Sequence, residues 1–153
     1  MAALVQQQVF DVRVSHHAFC FQDSDESLVP VEYPDEYEWG RFLNVRHGRI
    51  DFFSGGHTHI ATVCVEVWDG EPPCDGRAEW DEQSEATMET ACGELAVWEI
   101  GRSEHTVVLS DGAGRWWVRV YCAGRDEAKR RSTEEGPVQG VERYLVQFWP
   151  GIC

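Results

Sequence analysis

Apolar and polar positions alternate along most of the chain with a period of two, the mark of strands that bury one side. Residues 9–14 read Val-Phe-Asp-Val-Arg-Val, and 18–22 continue with aromatics after the step His16-His17. A short run occupies 49–53 and the longest 58–68, where Ile60, Thr62, Cys64, Glu66 and Trp68 face one way and the uniformly apolar Ala61, Val63, Val65 and Val67 the other. Further runs lie at 94–100, 105–110, 115–122 and 141–149. Gly55-Gly56, Asp69-Gly70, Asp75-Gly76 and Asp111-Gly112-Ala113-Gly114 separate them with turn residues. Pro72-Pro73, Gly136-Pro137 and residues 32–39 read as loops. Residues 125–135 carry a helical pattern with almost no apolar face, which predicts a surface helix joining the last two strands. Eight or so short strands spaced by turns predict an all-β fold, an antiparallel β-sandwich forming a single domain over residues 1–153.

Composition supports a folded chain. Apolar residues make up 42% of the 153 positions and seven are Trp, which argues against a disordered acidic tail. The 27 acids against 13 bases give a formal charge of −14, so neither a nucleic-acid backbone nor an anionic membrane is an expected partner. The N-terminal residues lack the charge and apolar run of a secretion signal, and no stretch approaches the roughly 20 apolar residues of a membrane span. A cytoplasmic location follows as an expectation. Cysteines at 20, 64, 74, 92, 122 and 153 match no zinc or redox spacing, and Cys20, Cys64 and Cys122 lie in strand runs where buried free thiols are expected.

The negative surplus is concentrated. Asp23, Asp25, Glu26, Glu32, Asp35, Glu36 and Glu38 run without an intervening base, and Asp69, Glu71, Asp75, Glu79, Asp81, Glu82, Glu85, Glu89 and Glu94 are interrupted only by Arg77. Like charges so dense repel one another, so these acids are expected to serve solubility or a positively charged partner rather than the fold. Two tryptophans sit inside these stretches. Trp39 beside Glu38 and Trp80 between Glu79 and Asp81 have the setting of interface anchors ringed by charge, or of loop aromatics folded back onto the sandwich. Asp35, Glu36, Glu38, Trp39, Glu79, Trp80, Asp81, Glu82 and Glu85 are therefore the candidate partner-binding residues.

Other chemistry has weaker support. His57 and His59 have the spacing that puts two imidazoles on one side of a strand, as in some metal enzymes, but two ligands do not complete a site and no spacing supplies the rest. Both are expected at surface positions, where replacement by Ala should change stability by about 1 kcal/mol or less. The acids of Glu79-Trp80-Asp81-Glu82 crowd among polar neighbours, whereas a catalytic pair needs environments that separate its pKa values. No serine sits in a nucleophile elbow, so no catalytic residue, metal or cofactor is assigned.

Two segments carry a resemblance. Residues 10–19, Phe-Asp-Val-Arg-Val-Ser-His-His-Ala-Phe, and 114–121, Gly-Arg-Trp-Trp-Val-Arg-Val-Tyr, resemble the competence J proteins, small bacterial inhibitors of a nuclease of DNA uptake. The closing 142–150, Glu-Arg-Tyr-Leu-Val-Gln-Phe-Trp-Pro, is similar to bacterial sequences associated with toxin immunity. The resemblance implies an inhibitor without catalytic residues. With the charge, it leads to an acidic protein, monomeric or weakly dimeric, that neutralises a basic nuclease or another toxin acting on nucleic acid. A small metal-dependent enzyme using His57 and His59, and a ligand-binding sandwich whose acids only keep it soluble, are the alternatives.

Overall fold

The computed structural model describes residues 2–25, 38–77 and 79–151. Ten strands and one helix follow in the order β1 (Leu4–Val14), β2 (Ala18–Asp23), β3 (Leu43–Arg46), β4 (Arg49–Phe53), β5 (His59–Trp68), β6 (Glu82–Thr90), β7 (Glu94–Trp98), β8 (Arg102–Val108), β9 (Gly114–Ala123), α1 (Arg125–Glu135) and β10 (Gln139–Pro150). They form two five-stranded sheets, β1-β5-β10-β9-β6 and β3-β4-β2-β7-β8, here sheets A and B. The β-sandwich read from the alternation is the fold observed, with one qualification. β10 lies parallel to β5, from Tyr144 opposite Val63 to Phe148 opposite Val67, so sheet A is mixed. Every other pairing is antiparallel.

Period-two burial builds the core. Ala61, Val63, Val65 and Val67 on β5 are all at most 3% exposed, as the alternation predicts. Phe10, Val12 and Val14 on β1, Val118 and Val120 on β9, and Tyr144, Val146 and Phe148 on β10 complete the inner face of sheet A. Phe19, Phe21, Ile50, Phe52, Leu95 and Val97 answer from sheet B. The Phe19 and Phe52 rings stack 4.6 Å apart, and Tyr144 from the other sheet meets Phe19 edge-on at 5.1 Å. Tyr144 is fully buried, and desolvation lifts its phenol well above the usual range.

The helix occupies the predicted residues and buries only Ala128. Its start is fixed by close packing. Gly124 has φ +83°, and a Cβ there would lie 2.1 Å from the Val141 carbonyl oxygen, so only glycine fits between β9 and the helix. The chain reverses from β1 to β2 through His16 and His17, both at positive φ (54° and 65°). A two-residue turn of that kind usually takes Asn or Gly, so two histidines there are strained.

β3 and β6 lie where the alternation predicts no strand. The first has four residues, too few to show a period. The second reads Glu-Gln-Ser-Glu-Ala-Thr-Met-Glu-Thr, with Ser84, Ala86 and Met88 on the inner side, and lies at the edge of sheet A, where one ladder and little apolar surface suffice. Residues 69–77 and 79–81, between β5 and this far edge, cross the outer face of sheet A over β10 and β9 as a strap.

Candidate partner-binding surfaces

Asp35 and Glu36 lie outside the described residues; the other seven candidates divide between the two outer faces of the sandwich. Trp39 packs edge-on against Phe53 at 5.2 Å, on the outer side of sheet B. Trp80 packs against Tyr121 at 5.5 Å, on the outer side of sheet A, and its indole N–H donates to Asp75 at 2.8 Å. One compact patch cannot contain both.

On the sheet A side, most of the acids have tasks within the protein. Asp81 Oδ2 accepts from the backbone N–H of Gly124 at 2.7 Å and Arg125 at 3.4 Å, placing a carboxylate at the positive start of α1. Glu85 pairs with Arg119 at 2.9 Å. That guanidinium also donates to Glu71 at 3.0 Å and to the Pro72 carbonyl at 3.1 Å, and lies 4.8 Å from the Trp149 ring. Hydrogen bonds to Glu85 hold its pKa above the usual value against the opposing effect of burial. Nearby, Arg77 pairs with Asp75 and, at 3.0 Å, with the fully buried Glu66, which also accepts from Gln147 and Trp68 at 3.0 Å each. The strap is thus pinned to sheet A by two arginines. Glu79 and Glu82 project to solvent, and Asp126 and Glu127 in the first turn of α1 are exposed beside them.

The expectation that these acids stand apart from the fold is corrected by the same contacts, and most clearly by Asp23. That residue is fully buried at the end of β2, where Thr90 donates to its Oδ1 and the Ala91 N–H to its Oδ2 at 2.9 Å, tying β2 to the β6–β7 turn. A carboxylate can be buried only when such donors replace its water.

On the sheet B side, Trp39 alone of the seven tryptophans is exposed, at 63%. It stands with Ile100, 79% exposed, at the mouth of a cleft of about 310 Å³ whose wall includes Cys20, Arg49, Asp51 and Phe53. Glu38 beside it pairs with Arg41 at 2.7 Å. An aromatic sequence leads away from Trp39: Phe53 stacks on His17 at 5.0 Å, His17 meets His57 at 5.2 Å and His57 meets His16 at 4.9 Å. The charge pattern points to Trp39, whereas only the folded chain brings Ile100 and the histidines beside it.

His57 and His59 do not share a side. His57 is exposed, whereas His59 is 1% exposed between the sheets, which corrects its assignment to the surface. The Ser54 hydroxyl donates to Glu142 Oε1 at 2.7 Å and lies 2.7 Å from His59 Nε2, while the Gly56 N–H donates to Ser54 Oγ at 3.1 Å. Since the serine proton is on the side of Glu142, His59 must carry its proton on Nε2 and donate it to Ser54. The Gly55 N–H completes Glu142 at 2.8 Å. Desolvation lowers the His59 pKa, overriding the opposite pull of Glu142. A nucleophilic serine needs its proton directed at the imidazole and its oxygen at a substrate. Here the three side chains tie the end of β4 to β5 and β10 beneath the helix. Among the described residues, no group of three or more His, Cys, Asp or Glu could hold a metal ion. Cys20 and Cys122 are buried free thiols as expected, whereas Cys64 is half exposed on the outer side of β5.

No protein-family model and no curated protein matches this sequence. Two solved structures do. One is ComJ from Bacillus subtilis, an inhibitor of the DNA-degrading activity of NucA, at a TM-score of 0.63 with 11% identity over 99% of each chain. The other is the crocagin biosynthetic protein J, at a TM-score of 0.60 with 12% identity over 97% of this chain and 100% of that one. The sandwich described above is therefore the ComJ-like fold, shared end to end.

Proposed function

We propose that this chain is an inhibitor that binds and neutralises a basic nuclease or another protein acting on nucleic acid. The observation that carries the reading is the agreement of fold with ComJ over 99% of both chains, because the whole of an inhibitor, rather than a common substructure, is matched. A net charge of −14 supports it: a nuclease must present cations to hold phosphates, and an acidic surface is attracted to them while excluding the substrate. Trp39 is the anchor. It is the exposed tryptophan, it is paired with exposed Ile100 over a cleft, and the sequence around it is acidic. Glu79 and Glu82, on the other face, act at longer range by accelerating encounter.

The test is protection of plasmid DNA from a basic DNA-degrading nuclease of the NucA kind, with binding kinetics at two ionic strengths. Trp39→Ala should speed dissociation at a cost of about 2 kcal/mol or more, and Trp80→Ala should leave it nearly unchanged. Reversing Glu79 and Glu82 to Lys should slow association and flatten its salt dependence. Undiminished cleavage in the presence of excess protein would refute the inhibitor reading.

A further inference from the structure

Each sheet has two edges, and three of the four carry charge or a cover. β6 bears Glu82, Glu85 and Glu89, β3 bears Arg46, and β8 bears Arg102 and Glu104. Two carbonyls of β8 are also occupied: Gln6 reaches across to the Val108 oxygen, and Gln8 to that of Thr106 at 2.9 Å. Charges and covers of this kind are what keep sheet edges from pairing with other chains. β1 differs. Its first seven residues, Leu-Val-Gln-Gln-Gln-Val-Phe, contain no charge, and Leu4, Val5 and Val9 are 45%, 64% and 63% exposed.

The direction of its backbone groups follows from the far end of the strand. Arg13 sends its N–H away from β5, to Glu99 Oε2 at 2.6 Å. Gln7, Val9 and Asp11 have the same parity, so their N–H and C=O groups point to the open edge, with no strand beyond them among the described residues. From the structure we infer that β1 pairs with β1 of a second copy of this chain, antiparallel about a two-fold axis, joining two A sheets into one of ten strands. Charge decides in favour of a second copy. A chain of −14 repels its copy wherever acids face each other, and β1 offers seven consecutive residues without any charge along which two copies can meet. The regular ladder of β1 begins after a bulge between Leu4 and Gln6, and a pair centred on Gln8 keeps within it, placing Val9 opposite Gln7 of the second copy, twice, and leaving Asp11 of each copy beyond the neutral window. An isologous contact of this sort closes after two copies. β6 is the opposite edge of sheet A, so the acids of both copies remain at the two outer ends.

The inference is independent of the inhibitor reading, and the two respond oppositely to salt. Binding to a basic partner weakens as salt rises, whereas association of two acidic copies through a neutral edge strengthens. Sedimentation equilibrium of the full chain should give twice the mass of one 17.5 kDa copy, with the dimer tightening several-fold between ionic strengths of about 0.05 and 0.5 M. Val9→Lys puts a cation at each of two diagonal positions beside the centre of the seam, and Val9→Pro removes an outward N–H without breaking a bond to β5. Both variants should sediment at the mass of one copy with an unchanged circular dichroism spectrum. Wild-type protein of single-copy mass at about 0.1 mM, or a Val9→Lys variant that folds and dimerises as tightly as wild type, would overturn the inference.

Discussion

At the residue scale, the buried meeting of Ser54, His59 and Glu142 holds two sheets together through groups that would be costly to leave unpaired. Replacing Ser54 by Ala removes a donor from a buried carboxylate and should lower stability by about 1–3 kcal/mol in urea denaturation. His59 adds a pH dependence whose sign is fixed. Its folded pKa lies below the unfolded value of about 6.5, so the unfolded chain binds the extra proton. The stability it contributes is present in full above that value and is lost as pH falls through the folded pKa. The fall between about pH 7.5 and 5.5 should be smaller in His59→Gln than in wild type. Thiols give a second check at this scale. Burial pushes the Cys20 thiol up to about 12 and that of Cys122 higher still, so both stay protonated at neutral pH. Thiol titration of native protein should find exposed Cys74 fast and Cys20 and Cys122 slow; equal rates would show that the core opens readily.

At the element scale, the strap of residues 69–81 depends on Arg119 more than on any apolar contact, since that side chain holds Glu71, Glu85 and the Pro72 carbonyl together. Arg119→Met should cost about 2 kcal/mol, less than breaking a fully buried pair because both carboxylates reach solvent. Proteolysis within 69–81 should accelerate at the same time. The strap also shows how far the sequence could be read. Alternation found eight strands because their inner residues are apolar, and the helix showed instead as a charged run with almost no apolar face. It passed over β6, whose inner positions include Ser84 and Ala86, and it counted Asp75, Asp81 and Glu85 as surface charge. Nothing local distinguishes an acid that caps a helix from one that faces solvent: Asp81 meets Gly124, 43 positions away, and Glu85 meets Arg119, 34 away. Glu142 and His59 escaped for the same reason, because a strand pattern says which side a residue faces but not what waits there. Trp39 was legible, as a large aromatic among acids, yet its separation from Trp80 is a property of two sheets and not of spacing.

At the scale of the whole molecule, the parallel placement of β10 between β5 and β9 governs the order in which the fold can be completed. β10 is synthesised after every other strand of both sheets, yet it occupies the middle of sheet A. Until it leaves the ribosome, β1-β5 and β9-β6 are two separate ribbons, each with an unpaired inner edge, and an isolated two-stranded ribbon is marginal in water. Sheet B is different, because all five of its strands precede β9. A nascent chain stalled before Gln139 should therefore protect sheet B from protease more than sheet A, and release of the remaining residues should protect both in one step. During that interval the nascent protein holds open strand edges in a crowded cell, and chaperones that shield such edges would be needed longest by this half of the sandwich.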